Sequence, residues 1–183
     1  HEVSAELPDR IKTIEEAREF LRQCADADFS VGDIEVHPLH RSPAPPFTTS
    51  TLQQEATRKL GFSVSHTMMI AQRLYESGHI TYMRTDSVNL SQEAMTAMEK
   101  FIKDNMGAEY YKHRVYHTSS KGAQEAHEAI RPSDVDLTPE RVKSDLTSEQ
   151  YRLYRLIWSR FLASQMSNAV YDLSLIHISE PTR

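Results

Sequence analysis

The amino-acid sequence predicts a mainly α-helical fold with short β-segments. Two capping boxes, each a threonine followed three residues later by Glu or Gln, open predicted helices at Thr13 and Thr147. Gly61 follows a stretch predicted to be helical and is placed to end that helix. Short segments such as 29–39 and 166–173 show the alternation of apolar and polar residues that is typical of strands.

The predicted elements follow one another with short connections. Residues 1–7 are expected to end a strand, and the helix opened at Thr13 runs to about Cys24. After the strand at 29–39, prolines between residues 43 and 46 form a stiff, extended entry to the next part of the chain. The later helices are predicted at about 52–60, at 65–76, from a cap at 89–93 to about 106, briefly from Thr138-Pro139, and from Thr147 to about 164.

The composition is that of a soluble globular protein, with 39% hydrophobic and 26% charged residues. No apolar run approaches the ~20 residues that a membrane-spanning helix needs. The single cysteine, Cys24, excludes an internal disulfide and fits a reducing compartment, so a cytoplasmic location is expected. The first residue is histidine, and we expect the chain to begin within a longer protein.

Charge is unevenly distributed along the chain. The net charge is −5, yet residues 38–131 carry 11 Lys and Arg against 9 Asp and Glu. The excess of negative charge therefore lies in the flanks. This pattern permits a nucleic-acid partner for the central region without requiring one.

The most informative stretch is 78–87, which reads Gly-His-Ile-Thr-Tyr-Met-Arg-Thr-Asp-Ser. If it is extended, Tyr82, Arg84 and Asp86 point to the same side. Tyrosine can form a covalent phosphoryl intermediate, a guanidinium can hold two phosphate oxygens, and Asp86 would fix the arginine rotamer. The pattern suits attack on a phosphodiester; the alternative is an exposed aromatic residue beside a solvated charge.

Three stretches in the same order resemble the type IA DNA topoisomerases. They are 80–87, with Tyr82; 46–56, Pro-Phe-Thr-Thr-Ser-Thr-Leu-Gln-Gln-Glu-Ala; and 124–132, Gln-Glu-Ala-His-Glu-Ala-Ile-Arg-Pro. The resemblance implies an ATP-independent, bacterial-type enzyme in which Tyr82 cuts one DNA strand, forms a 5′-phosphotyrosine and reseals it to relax negative supercoils. It also implies Mg²⁺ held by a separate Toprim domain. Nothing in the chain matches that domain, so we expect no metal ligands here and little cleavage by the chain alone.

The resemblance also implies a domain organisation within a toroidal, monomeric enzyme. Residues 1–45 would lead in as a helix and strand of the arch, and 46–132 would form the winged-helix-like tyrosine domain. Residues 133–173 would return to the arch. Residues 174–183 look like translated sequencing-adapter read-through and are expected to be a non-native tail.

The expected partner is DNA, preferably single-stranded, in the bacterial nucleoid. Besides Arg84 and Asp86, the resemblance makes His127 and Arg131 candidate DNA contacts near Tyr82. Phe62 is a weaker candidate, because it is also placed to act as a hydrophobic staple for the helix that follows it. The loop 108–122 interleaves basic and aromatic residues, which fits either contact with a single strand or an ordinary surface loop.

A different class of protein fits part of the pattern. Two helices joined by a short turn and followed by an extended stretch are also typical of a helix-turn-helix with a wing, a duplex DNA-binding module without catalysis. A recognition helix should present several polar side chains near its start. Ser65, His66 and Thr67 are available, but Met68 and Met69 follow at once and suit a core better.

Overall fold

The computed structural model describes residues 10–25, 27, 31–116 and 128–178. It is mainly helical with a two-stranded sheet, which confirms the predicted fold class. The chain divides into two compact units. Ser42–Ala169 forms one, called the tyrosine unit below, and His1–Arg41 with Val170–Arg183 forms the other, called the terminal unit. Within the described ranges, no helix is both long and apolar enough to cross a membrane.

The terminal unit contains helix α1, Ile14–Cys24, and strand β1, Val31–Arg41, which pairs with strand β2, Ala169–Ile178. Helix α1 starts at the predicted capping box, with Thr13 and Glu16 each accepting a backbone N–H of the other. Strand β2 runs five residues beyond its predicted end at 173, into the expected tail. That the tail is non-native stays a prediction.

The tyrosine unit holds the remaining helices. They are α2, Thr49–Leu60; α3, Val64–Glu76; α4, Gln92–Asn105; α5, Pro139–Val142; and α6, Ser148–Ser164; a single 3₁₀ turn, Ala108–Tyr110, follows α4. Helix α2 starts three residues before the predicted position, because Thr48 is its N-cap and accepts the N–H of Thr51. Helix α6 opens with the predicted capping box between Thr147 and Gln150.

Helices α2 and α3 are joined by a turn of only three residues, 61–63. Gly61 has φ of +71° and donates its N–H to carbonyls of the last turn of α2. This left-handed conformation is accessible to glycine at little cost, which explains the sharp stop predicted there. Ser63 then caps α3 by accepting the N–H of His66.

The core of the tyrosine unit forms where α6 packs against both α2 and α3. Its fully buried members include Leu52 and Ala56 of α2, Ile70 and Leu74 of α3, and Leu153, Tyr154 and Ile157 of α6. Ile80, Met83 and Ile130 join the same cluster from outside the helices. A second cluster, centred on Met98 and Ile102 of α4, packs on Phe161 of α6.

That residues 133–173 return to the arch stays a prediction. In the structure, 133–169 lie in the tyrosine unit. The physical reason is the apolar face of α6, whose Leu153, Tyr154 and Ile157 are all fully buried in the core shared with α2 and α3. Only the strand that follows α6 joins the terminal unit.

Candidate active site

The segment that carries Tyr82 follows α3 after Gly78, whose φ is +76°. It forms one isolated bridge, between Ile80 and Pro132, where an extended stretch was predicted. The exposure of its side chains nevertheless alternates. Tyr82, Arg84 and Asp86 are exposed, while Met83 is buried. The buried residues anchor the segment in the core, and the exposed ones are available to a ligand.

Thr81 fixes the segment on its N-terminal side. Its N–H donates to the carbonyl of Arg131 at 2.9 Å, and its hydroxyl donates to the carbonyl of Ala129 at 2.8 Å. The same hydroxyl accepts the N–H of Arg131 at 3.0 Å. These bonds join the tyrosine segment to residues about 50 positions later in the chain. The backbone next to Tyr82 is therefore held by a distant part of the sequence.

Thr49, the first residue of α2, fixes the segment on its C-terminal side. Its N–H donates to the carbonyl of Thr85 at 2.9 Å, and its hydroxyl donates to the carbonyl of Met83 at 2.8 Å. The hydroxyl also accepts the N–H of Thr85 at 2.9 Å. No local sequence pattern identifies this long-range role of Thr49.

The Tyr82 side chain is 46% exposed. Its ring meets the ring of Tyr75, from the last turn of α3, edge to face at a centroid distance of 5.2 Å. In the described part of the chain no group forms a hydrogen bond with its phenol oxygen. Nearly half of the Tyr82 residue is thus accessible, while its ring has an aromatic neighbour in the edge-to-face arrangement that such pairs favour.

A groove of about 470 Å³ lies between the N-terminus of α2 and the residues after Tyr82. Its lining residues are Thr48, Thr49, Ser50, Gln53, Arg84, Thr85 and Asp86. Arg84 forms no ion pair or hydrogen bond with any described residue, so the expected orientation of its guanidinium by Asp86 is not seen here. Tyr82 does not line the groove. The positive end of α2 and the Arg84 side chain make this groove suited to a phosphate group.

Comparisons with known proteins give the family. A family model for DNA topoisomerase matches residues 2–181. DNA topoisomerase 1 of Haemophilus influenzae is 47% identical over 173 residues, and a prokaryotic-type DNA topoisomerase 1 of Acanthamoeba polyphaga mimivirus is 49% identical over 161 residues. The solved structure of full-length topoisomerase I from Thermotoga maritima superposes with a TM-score of 0.72 at 41% identity. The chain belongs to the type IA DNA topoisomerases.

The chain corresponds to only part of each of these topoisomerases. The alignments cover 94% and 87% of this chain but 20% and 19% of the Haemophilus and mimivirus relatives, and the structural match covers 93% of this chain and 28% of the Thermotoga chain. The chain therefore spans about a fifth of the length of the first two relatives.

Of the predicted DNA contacts in this topoisomerase, Arg131 is already engaged within the protein. Its side chain is 14% exposed, pairs with Glu128 at 2.8 Å and donates to the carbonyls of Pro132 and Ser133. Burial acts to raise the pKa of Glu128, but hydrogen bonds from Ser91 and Arg131 outweigh it and hold the pKa below its usual value. This network fixes the backbone that receives Thr81, and the contact of Arg131 with DNA stays a prediction.

The other two predicted DNA contacts outside the Tyr82 segment are Phe62 and His127, and the structure describes only Phe62. Phe62 is 6% exposed and lies in the main core, where its ring meets His66 edge to face at 5.1 Å. The burial favours packing of the second helix over stacking on a base, because little of the ring surface is accessible. His127 lies outside the described residues, so its predicted DNA contact stays a prediction.

The described part of the 108–122 loop packs on the end of α6. Arg114 donates to the carbonyl of Met166 and to Asn168 Oδ1 at 2.6 Å. The Tyr116 hydroxyl donates to the carbonyl of Ser164 at 2.9 Å, and burial raises its pKa. These two side chains hold the loop in place, and contact of the loop with a single DNA strand stays a prediction.

The described residues contain no group of three or more His, Cys, Asp or Glu side chains that could hold a metal ion. The segment 78–87 has one carboxylate, Asp86, which is too few to hold a metal ion. The described residues by themselves therefore do not fit a divalent ion.

Proposed function

We propose that the tyrosine unit supplies the nucleophile of a topoisomerase that cuts and reseals one DNA strand without ATP and so relaxes negative supercoils. The observation that carries this proposal is that Tyr82 is 46% exposed and lies on a backbone fixed on both sides, by Thr81 and by Thr49. A fixed backbone with an exposed phenol is what a nucleophile that must meet a scissile phosphate requires.

The proposed reaction is a transesterification. The phenol oxygen of Tyr82 bonds to phosphorus, and the bond between phosphorus and the 3′ oxygen of the neighbouring nucleotide breaks. The phenol loses a proton and the 3′ oxygen gains one, leaving a 5′-phosphotyrosine and a 3′ hydroxyl. Resealing reverses these steps, and no nucleotide is consumed because the phosphodiester is exchanged for another phosphate ester.

We propose that Arg84 and the N-terminus of α2 bind the phosphoryl group that is transferred. The phosphoryl group gains negative charge during transfer, and a planar guanidinium can hold two of its oxygens at once. Arg84 has no partner among the described residues, and it shares a groove with the N-terminus of α2. Both features leave its donors available for a phosphate, and Asp86 would limit the rotation of the guanidinium once DNA is bound.

Several finer features rest on the family alone. We propose that the complete enzyme uses Mg²⁺ held by a Toprim domain. We also propose that it acts as a monomer on single-stranded DNA in the bacterial nucleoid. The loop 108–122, His127 and Arg84 would then contribute to binding the strand.

Replacing Tyr82 by phenylalanine in the complete enzyme tests the nucleophile. We expect Tyr82→Phe to abolish covalent trapping of a labelled oligonucleotide and relaxation of supercoiled plasmid, while binding of the oligonucleotide stays nearly unchanged. Tyr171→Phe is the matched control, because Tyr171 is similarly exposed, at 52%, and lies outside both the Tyr82 segment and the loop 108–122. Covalent trapping by the Tyr82→Phe enzyme would refute the assignment.

The helix-turn-helix alternative is tested by the DNA it would bind. Its recognition helix would be α3, but Thr67 is fully buried and His66 pairs with Glu149 at 3.0 Å. Few polar groups at the start of α3 are therefore left for base edges. We expect weak, salt-sensitive binding with a preference for single strands. Tight binding of one duplex sequence, with little affinity for single strands, would favour the alternative.

A further inference from the structure

A second groove of about 370 Å³ lies at the other end of α2, against the outer face of α6. We call it the basic groove. Its lining residues are Lys59, Leu60, Tyr151, Arg152, Arg155, Leu156 and Ser159. Three of them are cationic and none is acidic, and Tyr151 adds a partly exposed aromatic ring. A lining of this kind is suited to a polyanion, and an aromatic ring can also stack on a base.

The positive charge beside the basic groove is only partly neutralised. Glu55 accepts contacts from Arg58 at 2.7 Å, from Lys59 at 2.9 Å and from Arg160 at 3.4 Å. One carboxylate is thus shared by three cations, and the hydrogen bond from Lys59 helps to hold its pKa below the usual value. The shared carboxylate leaves a positive excess at this end of α2.

The other two cations of the groove are placed differently. Arg152 donates to the carbonyl of Leu60 at 3.0 Å, and its guanidinium lies 5.1 Å from the centre of the Phe62 ring. These contacts hold Arg152 in one position. Arg155 is exposed and forms no ion pair with any described residue. One cation is therefore pre-positioned and another is available to move onto a ligand.

The basic groove is separate from the groove beside Tyr82. Thr49, in that first groove, and Lys59 are ten residues apart on one helix, which corresponds to about 15 Å at 1.5 Å per residue. A phosphate held by Arg84 cannot also be held by Lys59 at that distance. Occupation of the basic groove requires either another part of the same strand or a second DNA segment.

We propose that the basic groove is a second binding site for the phosphodiester backbone of DNA. The Arg155 guanidinium has no carboxylate partner among the described residues, and Lys59 shares the single carboxylate of Glu55 with two arginines, so both cations match phosphate oxygens. The neighbouring Tyr151 favours nucleic acid over an acidic peptide. The proposal goes beyond the cleavage reaction, because it assigns binding to residues that take no part in the chemistry of Tyr82.

The test neutralises two cations of the groove and measures how DNA binding depends on salt. Lys59→Gln/Arg155→Gln in the 183-residue chain is compared with the wild type by fluorescence anisotropy of a labelled single strand and a labelled duplex. The slope of log K against log salt is negative, and its magnitude should decrease because two phosphate contacts are lost. The expected decrease is about 1.4 for the single strand, at about 0.7 per contact, or about 1.8 for the duplex, at about 0.9 per contact. If the slope becomes smaller in magnitude with the single strand alone, the basic groove binds another part of the strand that is cut. If it becomes smaller with the duplex, the groove binds a second DNA segment.

The matched control is Arg18→Gln/Lys100→Gln, which removes the same net charge from exposed positions outside the groove. It should leave the slope unchanged. Arg155→Gln alone should reduce the magnitude of the slope by about 0.7 with a single strand. Arg155 forms no ion pair with any described residue, so this change removes no such pair from the folded chain. The proposal is overturned if the groove variants bind both DNA forms like the control, or if the wild-type chain has no measurable DNA affinity at low salt. Failure of the nucleophile assignment would instead appear as cleavage by Tyr82→Phe, with these slopes unaffected.

Discussion

The hydroxyl of Thr49 should stabilise both the fold of the tyrosine unit and the geometry of its candidate site. Thr49→Val replaces that hydroxyl with a methyl group of similar size. The change removes the bond donated to the carbonyl of Met83, at 2.8 Å, and the bond accepted from the N–H of Thr85, at 2.9 Å. Both partners belong to the partly buried backbone that follows Tyr82, so water replaces the lost bonds incompletely.

The expected loss of stability follows from these two bonds. A hydrogen bond contributes about 1 kcal/mol net, and a buried group left without a partner costs about 1–3 kcal/mol. We therefore expect Thr49→Val to lower the free energy of unfolding by about 2–3 kcal/mol. Thr49→Ser keeps the hydroxyl and removes one methyl group, which should cost no more than about 0.8 kcal/mol. The difference between the two variants isolates the hydroxyl.

Urea unfolding followed by the fluorescence of Trp158 measures this difference. Trp158 is the single tryptophan of the chain, and its indole N–H donates to the carbonyl of Val135 at 3.0 Å inside the tyrosine unit. Its signal therefore reports on the unit that contains Thr49. A Val variant within about 0.5 kcal/mol of the Ser variant would refute the energetic role of the hydroxyl.

The same pair of variants tests the link from fold to chemistry. In the complete enzyme at a temperature where both variants are folded, Thr49→Val should slow single-turnover cleavage, because Arg84 lies between the two anchored residues Met83 and Thr85. Thr49→Ser should cleave at nearly the wild-type rate. Equal cleavage rates would mean that the anchoring bonds stabilise the fold without positioning the groove.

Three other predictions concern single residues. Arg84→Lys should lower the cleavage rate about 10²–10³-fold with little change in oligonucleotide binding, because lysine keeps the charge but lacks the planar fork; near-normal single-turnover cleavage would contradict this. Gly61→Ala should destabilise the chain by about 1–2 kcal/mol in urea, since φ is +71° although the added Cβ would meet no atom within 4 Å. Glu128→Gln should cost about 1.5–3 kcal/mol at neutral pH. Because the folded pKa of Glu128 is held below 4.5, that difference should shrink as pH falls through the folded pKa in thermal melts, and a pH-independent difference would contradict the assignment.

Local features of the fold were predictable from sequence because their causes lie within a few residues. The Thr13 and Thr147 capping boxes start α1 and α6 where the pattern indicates, and Gly61 ends α2. Capping depends on a side chain and a backbone group three residues apart, and the left-handed cap depends on glycine itself. The apolar spacing of α6 likewise predicted a buried face, although it did not indicate which unit that face would join.

Contacts between distant residues set the limit of prediction. The bonds from Thr49 to Met83 and Thr85 span 34 and 36 residues, and a threonine at a helix start is explained locally without them. The contact of Arg131 with DNA stays a prediction, and the structure adds that Arg131 pairs with Glu128 three residues earlier. That spacing is itself a signal for an internal ion pair, and it was available in the sequence.

Around Tyr82, the backbone is held in place while the phenol side chain is left without a hydrogen bond to any described residue. Thr81 and Thr49 hold the backbone on either side of the segment, and the buried Met83 anchors it in the core. The Tyr82 phenol has only an edge-to-face contact with Tyr75 and no internal hydrogen bond in the described part of the chain. A nucleophile that is first free, then esterified, then released needs such a side chain, because a hydrogen bond to the phenol oxygen would have to break before attack and form again after resealing. The fixed backbone returns the hydroxyl to the same place for each cycle, which is what allows one residue to serve both directions of the proposed reaction.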